Sequence, residues 1–140
     1  MSRLGRRLAF DYGDVRIGVA VCDPDGILAT PLEFLSTKNP ALKQSILHLC
    51  SEYEPRKIYV GLPLHLSGEH SESTSKALAF SEMLTEIVSC PVELIDERLT
   101  TSSASSSLSQ AGVNAKDQRK KIDSQSAVVI LESGLAKDRE

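Results

Sequence analysis

The order of the apolar patterns constrains this chain most, because strand-like patterns come first and then alternate with helix-like ones. Residues 8–12 and 17–21 carry apolar side chains on either side of a GD turn signal, which is typical of a half-buried hairpin. A third strand is predicted over 27–35, after the turn signal DPDG. The chain therefore opens with three antiparallel strands.

Helix and strand patterns alternate through the remainder of the chain. Helices are predicted from an Asn39-Pro40 start to Pro55, over 73–89, over 101–110 and from about Asp123 onward, and strands over 57–60, where Gly61-Leu62-Pro63 ends the run, and over 92–95. This order predicts an α/β fold with a five-stranded mixed sheet. The first three strands are antiparallel, the later ones alternate with helices, and helices cover both faces.

Size and composition indicate one globular domain over residues 1–140. Hydrophobic residues make up 41% and charged residues 25% of the chain, which is ordinary for a soluble protein. No apolar run approaches the roughly 18 residues of a membrane span, and none resembles a signal peptide, so we expect a cytoplasmic protein with no membrane partner. Three widely spaced cysteines favour small buried hydrophobes over disulfides or zinc ligands.

Acidic residues stand at or near the ends of three predicted elements. Asp11 interrupts the first strand, Asp96 and Glu97 follow the fifth, and Asp123 opens the last helix. Open α/β sheets place ligands at strand ends, so these side chains can converge on one side. Each also has a simpler interpretation: Asp11 as a turn residue, Asp123 as a helix N-cap, and Asp96 or Glu97 as the partner of Arg98 in an ion pair.

Carboxylates gathered at one point repel one another unless a cation neutralises them. Oxygen ligands suit a hard ion, and the expected cofactor is Mg²⁺ or Mn²⁺. Two such ions about 3.5–4 Å apart would activate water and stabilise the leaving oxygen in phosphodiester cleavage. The pattern therefore indicates metal-dependent phosphoryl transfer to water.

Four segments resemble, in order and spacing, the bacterial YqgF/RuvX family. They are DYGDVRIGVAV from Asp11, VGLPLHLSG from Val60, DERLTT from Asp96 and KKIDSQSAVVIL from Lys120. The resemblance implies a ribonuclease H-like fold. It also implies that Asp11, Glu97 and Asp123 are the catalytic, metal-binding set. Asp96 is the alternative metal ligand; since side chains alternate along a strand, only one of Asp96 and Glu97 is expected to reach the metal of Asp11, and the resemblance favours Glu97.

Basic residues near these motifs are candidates for contacting nucleic-acid phosphates, although the net charge of −3 gives no overall basic signature. The candidates are Arg16, Arg98, Lys120 and Lys121. The two lysines belong to a basic run over 116–121 that is predicted as a loop, and pairing with Asp96 is an equal alternative for Arg98. Gly13 and Gly18 are expected to serve structure, through a positive φ at the turn and close backbone approach in the strand.

The favoured hypothesis is a metal-dependent endonuclease acting on structured nucleic acid, either precursor rRNA or branched DNA. By resemblance to the family, processing of the 5′ end of pre-16S rRNA in ribosome biogenesis comes first. Holliday junction resolution in DNA recombination and repair is the alternative, and a resolvase is expected to act as a symmetric homodimer. A non-catalytic nucleic-acid-binding module remains a further alternative, whereas an actin-like ATPase would need a second related domain.

Overall fold

The computed structural model describes residues 5–63, 71–97 and 115–139, with the side chains of the last helix described from Ser124 onward. It confirms the predicted fold class, a five-stranded mixed sheet in the order β3-β2-β1-β4-β5 with helices on both faces. The strands are β1 (Arg7–Asp11), β2 (Arg16–Cys22), β3 (Ala29–Ser36), β4 (Lys57–Leu62) and β5 (Val92–Asp96). The helices are α1 (Leu42–Tyr53), α2 (Glu72–Ile87) and α3 (Ala115–Arg139).

Strand direction brings three chain segments to one edge of the sheet. Strand β1 pairs antiparallel with β2 and parallel with β4, and β4 pairs parallel with β5. Parallel strands end on the same side, so β1, β4 and β5 finish together. We call this side, where Asp11, Leu62 and Asp96 end their strands, the carboxyl edge.

Alternating side chains divide the interior into two cores, one on each face of the sheet. On one face, α3 packs its buried residues, such as Leu131, against Ala9 and Tyr59. On the other face lie α1 and α2, and the rings of Phe10 and Phe80 meet edge to face with centroids 5.7 Å apart. Any residue of β1, β4 or β5 can therefore be assigned to the α3 face or to the α1/α2 face.

Helix α3 is anchored to the sheet near both ends of the part whose side chains are described, from Ser124 onward. The buried hydroxyl of Ser124 accepts from the Val19 N–H at 3.2 Å and donates to the Leu32 carbonyl at 2.5 Å, where the β2–β3 register shifts. Near the other end, Asp138 accepts hydrogen bonds from the Tyr59 hydroxyl at 2.5 Å and from the Lys57 ammonium group at 2.9 Å. These contacts fix where α3 lies on its face.

The start of α3 differs from the prediction. The helix begins at Ala115, so Asp123 lies within it and neither opens nor caps it, and the basic run over 116–121, predicted as a loop, is helical. Lysine, arginine and glutamine are good helix formers, but this run has no apolar periodicity to reveal the helix. The N-cap interpretation of Asp123 is therefore wrong.

Two other boundaries also shift. Helix α1 begins at Leu42 because Asn39 caps a preceding turn, its side chain accepting from the Ala41 N–H at 2.9 Å. Strand β4 continues two residues past its predicted end, through Gly61 to Leu62, and ends before Pro63. The helix predicted over 101–110 lies outside the described residues, and the single-domain organisation stays a prediction. Among the described helices, none has the length and apolar character needed to cross a membrane.

We predict that Gly134→Ala destabilises the protein, although alanine normally favours a helix by about 1 kcal/mol. A Cβ at position 134 would lie 2.6 Å from atoms of the buried Tyr59 ring, so α3 must move away from the sheet. Overpacking of this kind costs about 1–3 kcal/mol, measurable by urea unfolding. Glu132→Ala, at an exposed position of the same helix, is the matched control and should change stability by less than about 0.5 kcal/mol. A Gly134→Ala protein more stable than the wild type, as helix propensity alone would give, would contradict the close packing.

Candidate active site

Asp11 ends β1 on the α3 face, with a glycine beside it on each neighbouring strand. In β2 its partner is Gly18, which is buried and leaves the space next to the carboxyl group free of a side chain. In β4 the neighbouring position is Gly61, one residue beyond the Phe10–Val60 pair. A carboxylate in a strand is unfavourable by propensity, and here the neighbouring position on each adjacent strand is a glycine.

Glu97 directly follows β5, and its carboxyl group is hydrogen-bonded to that of Asp11. Burial raises the pKa of Glu97 to about 8, and the charge of Asp11 and the hydrogen bond to it add to the effect. Burial also raises the pKa of Asp11, while the hydrogen bonds from Glu97 and Ser126 oppose that rise. These directions describe a protonated Glu97 donating to Asp11, so the two carboxyl groups share one proton at neutral pH.

Ser126 is a site residue that the sequence interpretation missed. Its hydroxyl hydrogen-bonds to Asp11 from α3, which brings a third element to the two carboxyl groups. The available signal was the pair of serines in DSQSA, polar positions that directly precede the apolar stripe of the helix. Without the register of α3 on the sheet, these serines are typical of an ordinary first helical turn.

Gly61 is the second residue whose role was missed, since it was interpreted only as part of the strand stop Gly61-Leu62-Pro63. A Cβ here would lie 2.5 Å from Ile130 Cδ1 and 3.0 Å from the carboxyl carbon of Glu97. The missing side chain therefore lets Glu97 lie across β4 toward Asp11, although β1 and β5 are not adjacent strands. No local pattern in the sequence signals this requirement.

Asp96, the alternative metal ligand, lies on the other face of the sheet. It pairs with Leu62, one residue after the Gly61–Ile95 pair, and Ile95 belongs to the core under α3. Alternation therefore directs Asp96 to the α1/α2 face. Its charge contributes to the raised pKa of Glu97, but the geometry brings Glu97, not Asp96, to Asp11.

The remaining acidic and basic candidates are only partly described. Asp123, Lys120 and Lys121 lie on α3, before the point from which its side chains are described. Arg98 lies outside the described residues. The roles of all four as metal ligand or phosphate contacts stay predictions.

The β1–β2 hairpin contains the other candidates. Arg16 is exposed, and its guanidinium carbon lies 5.0 Å from the centroid of the Phe34 ring, a cation–π contact. Gly13 does not have the positive φ expected of it, since Gly5 and Gly26 are the described glycines in that conformation. Close approach requires it instead, because a Cβ would lie 2.6 Å from the Arg16 carbonyl oxygen.

Among the described residues, no group of three or more histidine, cysteine or acidic side chains forms a metal site. What they do form is a carboxyl pair on the α3 face of the carboxyl edge. Such a pair can hold one proton, or it can ionise fully when a cation replaces that proton. The site is therefore suited to binding a cation through oxygen ligands.

Comparison of the fold defines the class of protein. Thermus thermophilus RuvC in complex with a Holliday junction substrate matches 96% of this chain and 96% of its own, with a TM-score of 0.63 at 15% identity. A second structure of Thermus thermophilus RuvC gives a TM-score of 0.58 at 17% identity. The architecture is thus the ribonuclease H-like fold of RuvC, as predicted.

Comparison of the sequence identifies the family. The model of the RuvX family, described as Holliday junction resolvase, matches residues 5–137, so the chain belongs to the RuvX family of nucleases. A relative from Streptomyces coelicolor named "Putative pre-16S rRNA nuclease" is 47% identical over 98% of this chain and 83% of its own length. One of the same name from Mycobacterium leprae is 47% identical over 94% of this chain and 72% of its own.

We predict that the metal-free protein loses stability as the pH rises from about 4.5 to about 8. Glu97 ionises near 4.5 in the unfolded chain but near 8 when folded, so the unfolded state binds fewer protons within this range. Glu97→Gln removes the titration and should exceed the wild type in stability at pH 8 by on the order of 1 kcal/mol, allowing for partial exposure. Thermal unfolding in EDTA at pH 5 and pH 8 measures the effect.

The matched control is Glu82→Gln, an exposed position on α2 that should leave the pH dependence as in the wild type. A wild-type stability that does not fall relative to Glu97→Gln between the two pH values would contradict the shared proton.

We also predict that Gly61→Ala destabilises the protein by about 1–3 kcal/mol, because the added methyl group meets Ile130 and Glu97. Ile130→Val removes the nearest atom, Cδ1, and alone should cost about 0.5–1.5 kcal/mol. The double variant should lose less stability than the sum of the losses in the two single variants. Urea unfolding of the wild type, both single variants and the double variant gives this coupling energy. Strict additivity would show that Gly61 and Ile130 do not meet.

Proposed function

We propose that this protein is a metal-dependent endonuclease that hydrolyses phosphodiester bonds in structured nucleic acid. The contact between the Asp11 and Glu97 carboxyl groups, held at the ends of two strands, is the observation that carries the proposal. Membership of a nuclease family agrees with it.

The carboxyl pair fits a divalent cation. Both groups are buried enough to resist ionisation, and each disfavours the charge of the other. A bound cation would reverse this balance, because the ionised forms of Asp11 and Glu97 would be its ligands. Carboxylate oxygens without nitrogen or sulfur donors suit Mg²⁺ or Mn²⁺.

Asp123 would complete the ligand set. It lies three residues before Ser126 on α3, and residues three apart are neighbours on a helix surface. Ser126 already touches Asp11, so position 123 belongs to the helical turn next to the carboxyl pair. Glu97 is the proposed ligand from β5 in preference to Asp96, which lies on the opposite face.

Bound divalent ions would activate a water molecule and stabilise the leaving oxygen of the phosphodiester. The chain itself supplies position and charge. Asp11 is fixed by a strand between two glycines, and the Ser126 hydroxyl restricts its orientation. Asp11 and Glu97 would both be negative carboxylates once a cation took the place of their shared proton. Arg16, and Arg98, Lys120 and Lys121 from the partly described segments, are proposed to contact substrate phosphates.

The proposed substrate is precursor 16S rRNA, cleaved near its 5′ end during ribosome biogenesis in the cytoplasm. Relatives that are 44–47% identical to this chain are named "Putative pre-16S rRNA nuclease", which supports this RNA as the substrate. Holliday junction resolution is the second candidate, since the family description refers to it. Paired cuts in a four-way junction would require a symmetric homodimer, whereas cleavage of an RNA precursor would not.

We predict that Asp11→Asn abolishes cleavage of labelled RNA precursor and four-way junction in Mn²⁺ while nucleic-acid binding persists. The substitution preserves shape but removes a negative oxygen ligand, and losses of 100-fold or more are expected for a residue that holds catalytic charge. Gel assays of cleavage and fluorescence anisotropy of binding separate the two properties. Wild-type cleavage should also stop in EDTA.

Asp25→Asn, in the exposed β2–β3 turn, is the matched control and should cleave as the wild type does. Binding by the wild type without cleavage of either substrate would favour a non-catalytic module. Comparison of the rates on the two substrates, with one preparation, decides between the RNA and junction candidates.

A further inference from the structure

The tip of the β1–β2 hairpin, residues 12–15, is a fixed surface directly after Asp11. From the β3 side, Thr37 donates through its N–H to the Val15 carbonyl at 3.0 Å and through its hydroxyl to the Gly13 carbonyl at 2.8 Å. From the α2 side, the ammonium group of Lys76 lies 2.8 Å from the Asp14 carboxylate. The hairpin tip is thus held between two elements at the carboxyl edge.

The ion pair between Lys76 and Asp14 is not what anchors α2. Its first turn has a capping box, in which the Ser71 hydroxyl accepts from the Thr74 N–H at 3.2 Å and the Thr74 hydroxyl accepts from the Ser71 N–H at 3.0 Å. Farther along, Phe80 packs in the core. The side chains of Lys76 and Asp14 are 40% and 68% exposed, and exposed pairs contribute about 0–1 kcal/mol. Stability therefore does not explain why Lys76 is held here.

Charge gives a better explanation. Asp11, Asp14 and Glu97 make this part of the carboxyl edge acidic, in a chain whose net charge is −3. A polyanionic substrate needs a cation near such a surface to approach it. Lys76 is a partly exposed cation held there by contacts with the Asp14 carboxylate at 2.8 Å and, less closely, the Glu72 carboxylate at 3.5 Å, and a phosphate oxygen can replace that of Asp14 with little change in geometry.

We propose that Lys76 binds a backbone phosphate of the substrate strand on the α2 side of the hairpin, and that Asp14 holds its ammonium group in place in the free protein. This inference rests on the proposed nuclease function and adds the path that the substrate strand takes over the protein. The strand passes the hairpin tip toward α2 as well as toward Arg16. A lysine contact of this kind reads no base sequence, so it applies to RNA and to DNA.

The experiment measures binding of a labelled RNA precursor leader and of a labelled four-way DNA junction by anisotropy, with Ca²⁺ in place of Mg²⁺, over a series of salt concentrations. Lys76→Ala should weaken binding about three- to tenfold and reduce the slope of log K against log salt by about one. Lys76→Arg should bind as the wild type does. Asp14→Asn should tighten binding, because it removes a competing carboxylate and leaves the lysine.

The matched control is Lys137→Ala, which breaks a similar exposed pair, Lys137–Glu93 at 2.8 Å, on α3 near the amino end of β5. It should leave affinity and salt slope unchanged. Two results would overturn the inference. One is wild-type affinity in Lys76→Ala. The other is weaker binding in both Lys76→Ala and Asp14→Asn, which would show that the ion pair only maintains the shape of the hairpin. Absence of wild-type binding to both probes would instead refute the proposed function, and this inference with it.

Discussion

The hydrogen bond between the carboxyl groups of Asp11 and Glu97 is the contact on which the proposed chemistry depends. Asp11 ends β1 and Glu97 follows β5, and β4 lies between these two strands, so the carboxyl groups can meet only because Gly61 presents no side chain between them. The parallel pairing of β1, β4 and β5 brings both to the same edge. A local glycine and a topology of the whole sheet are therefore needed together, and neither alone would make the site.

This contact opposes the stability of the metal-free fold. At neutral pH the buried carboxyl pair must retain a proton that the unfolded chain would release. The metal-free folded state is therefore less stable than it would be with a side chain that does not titrate in place of Glu97. The proposed binding of a cation to the folded state alone would reverse the sign, because a ligand stabilises the form that binds it. Under the proposed function, the same groups would link metal affinity to folding, and substitutions that improve the metal-free stability would remove function.

Much of the fold could be predicted because its signals are local. Alternating apolar residues and turn motifs identify the hairpin, and alternation along β5 correctly separates Asp96 from Glu97 by face. The start of α3 could not be predicted, since good helix formers without an apolar stripe resemble a charged loop, and Asp123 then resembles an N-cap. Gly61 and Ser126 act through contacts with residues distant in sequence, which a local pattern does not record.

The position of α3 decides how accurately Asp123, the proposed third acidic ligand, can be placed. A helix lying on a sheet can slide or rotate unless polar contacts fix it, and a metal site tolerates displacements of only about 0.5 Å. Ser124 supplies such a contact one residue after Asp123, because its hydroxyl bonds β2 and β3 where their register shifts. Asp138 holds the far end through Tyr59 and Lys57. Since both anchors act on one rigid helix, the backbone at position 123 is fixed relative to Asp11 before any cation binds.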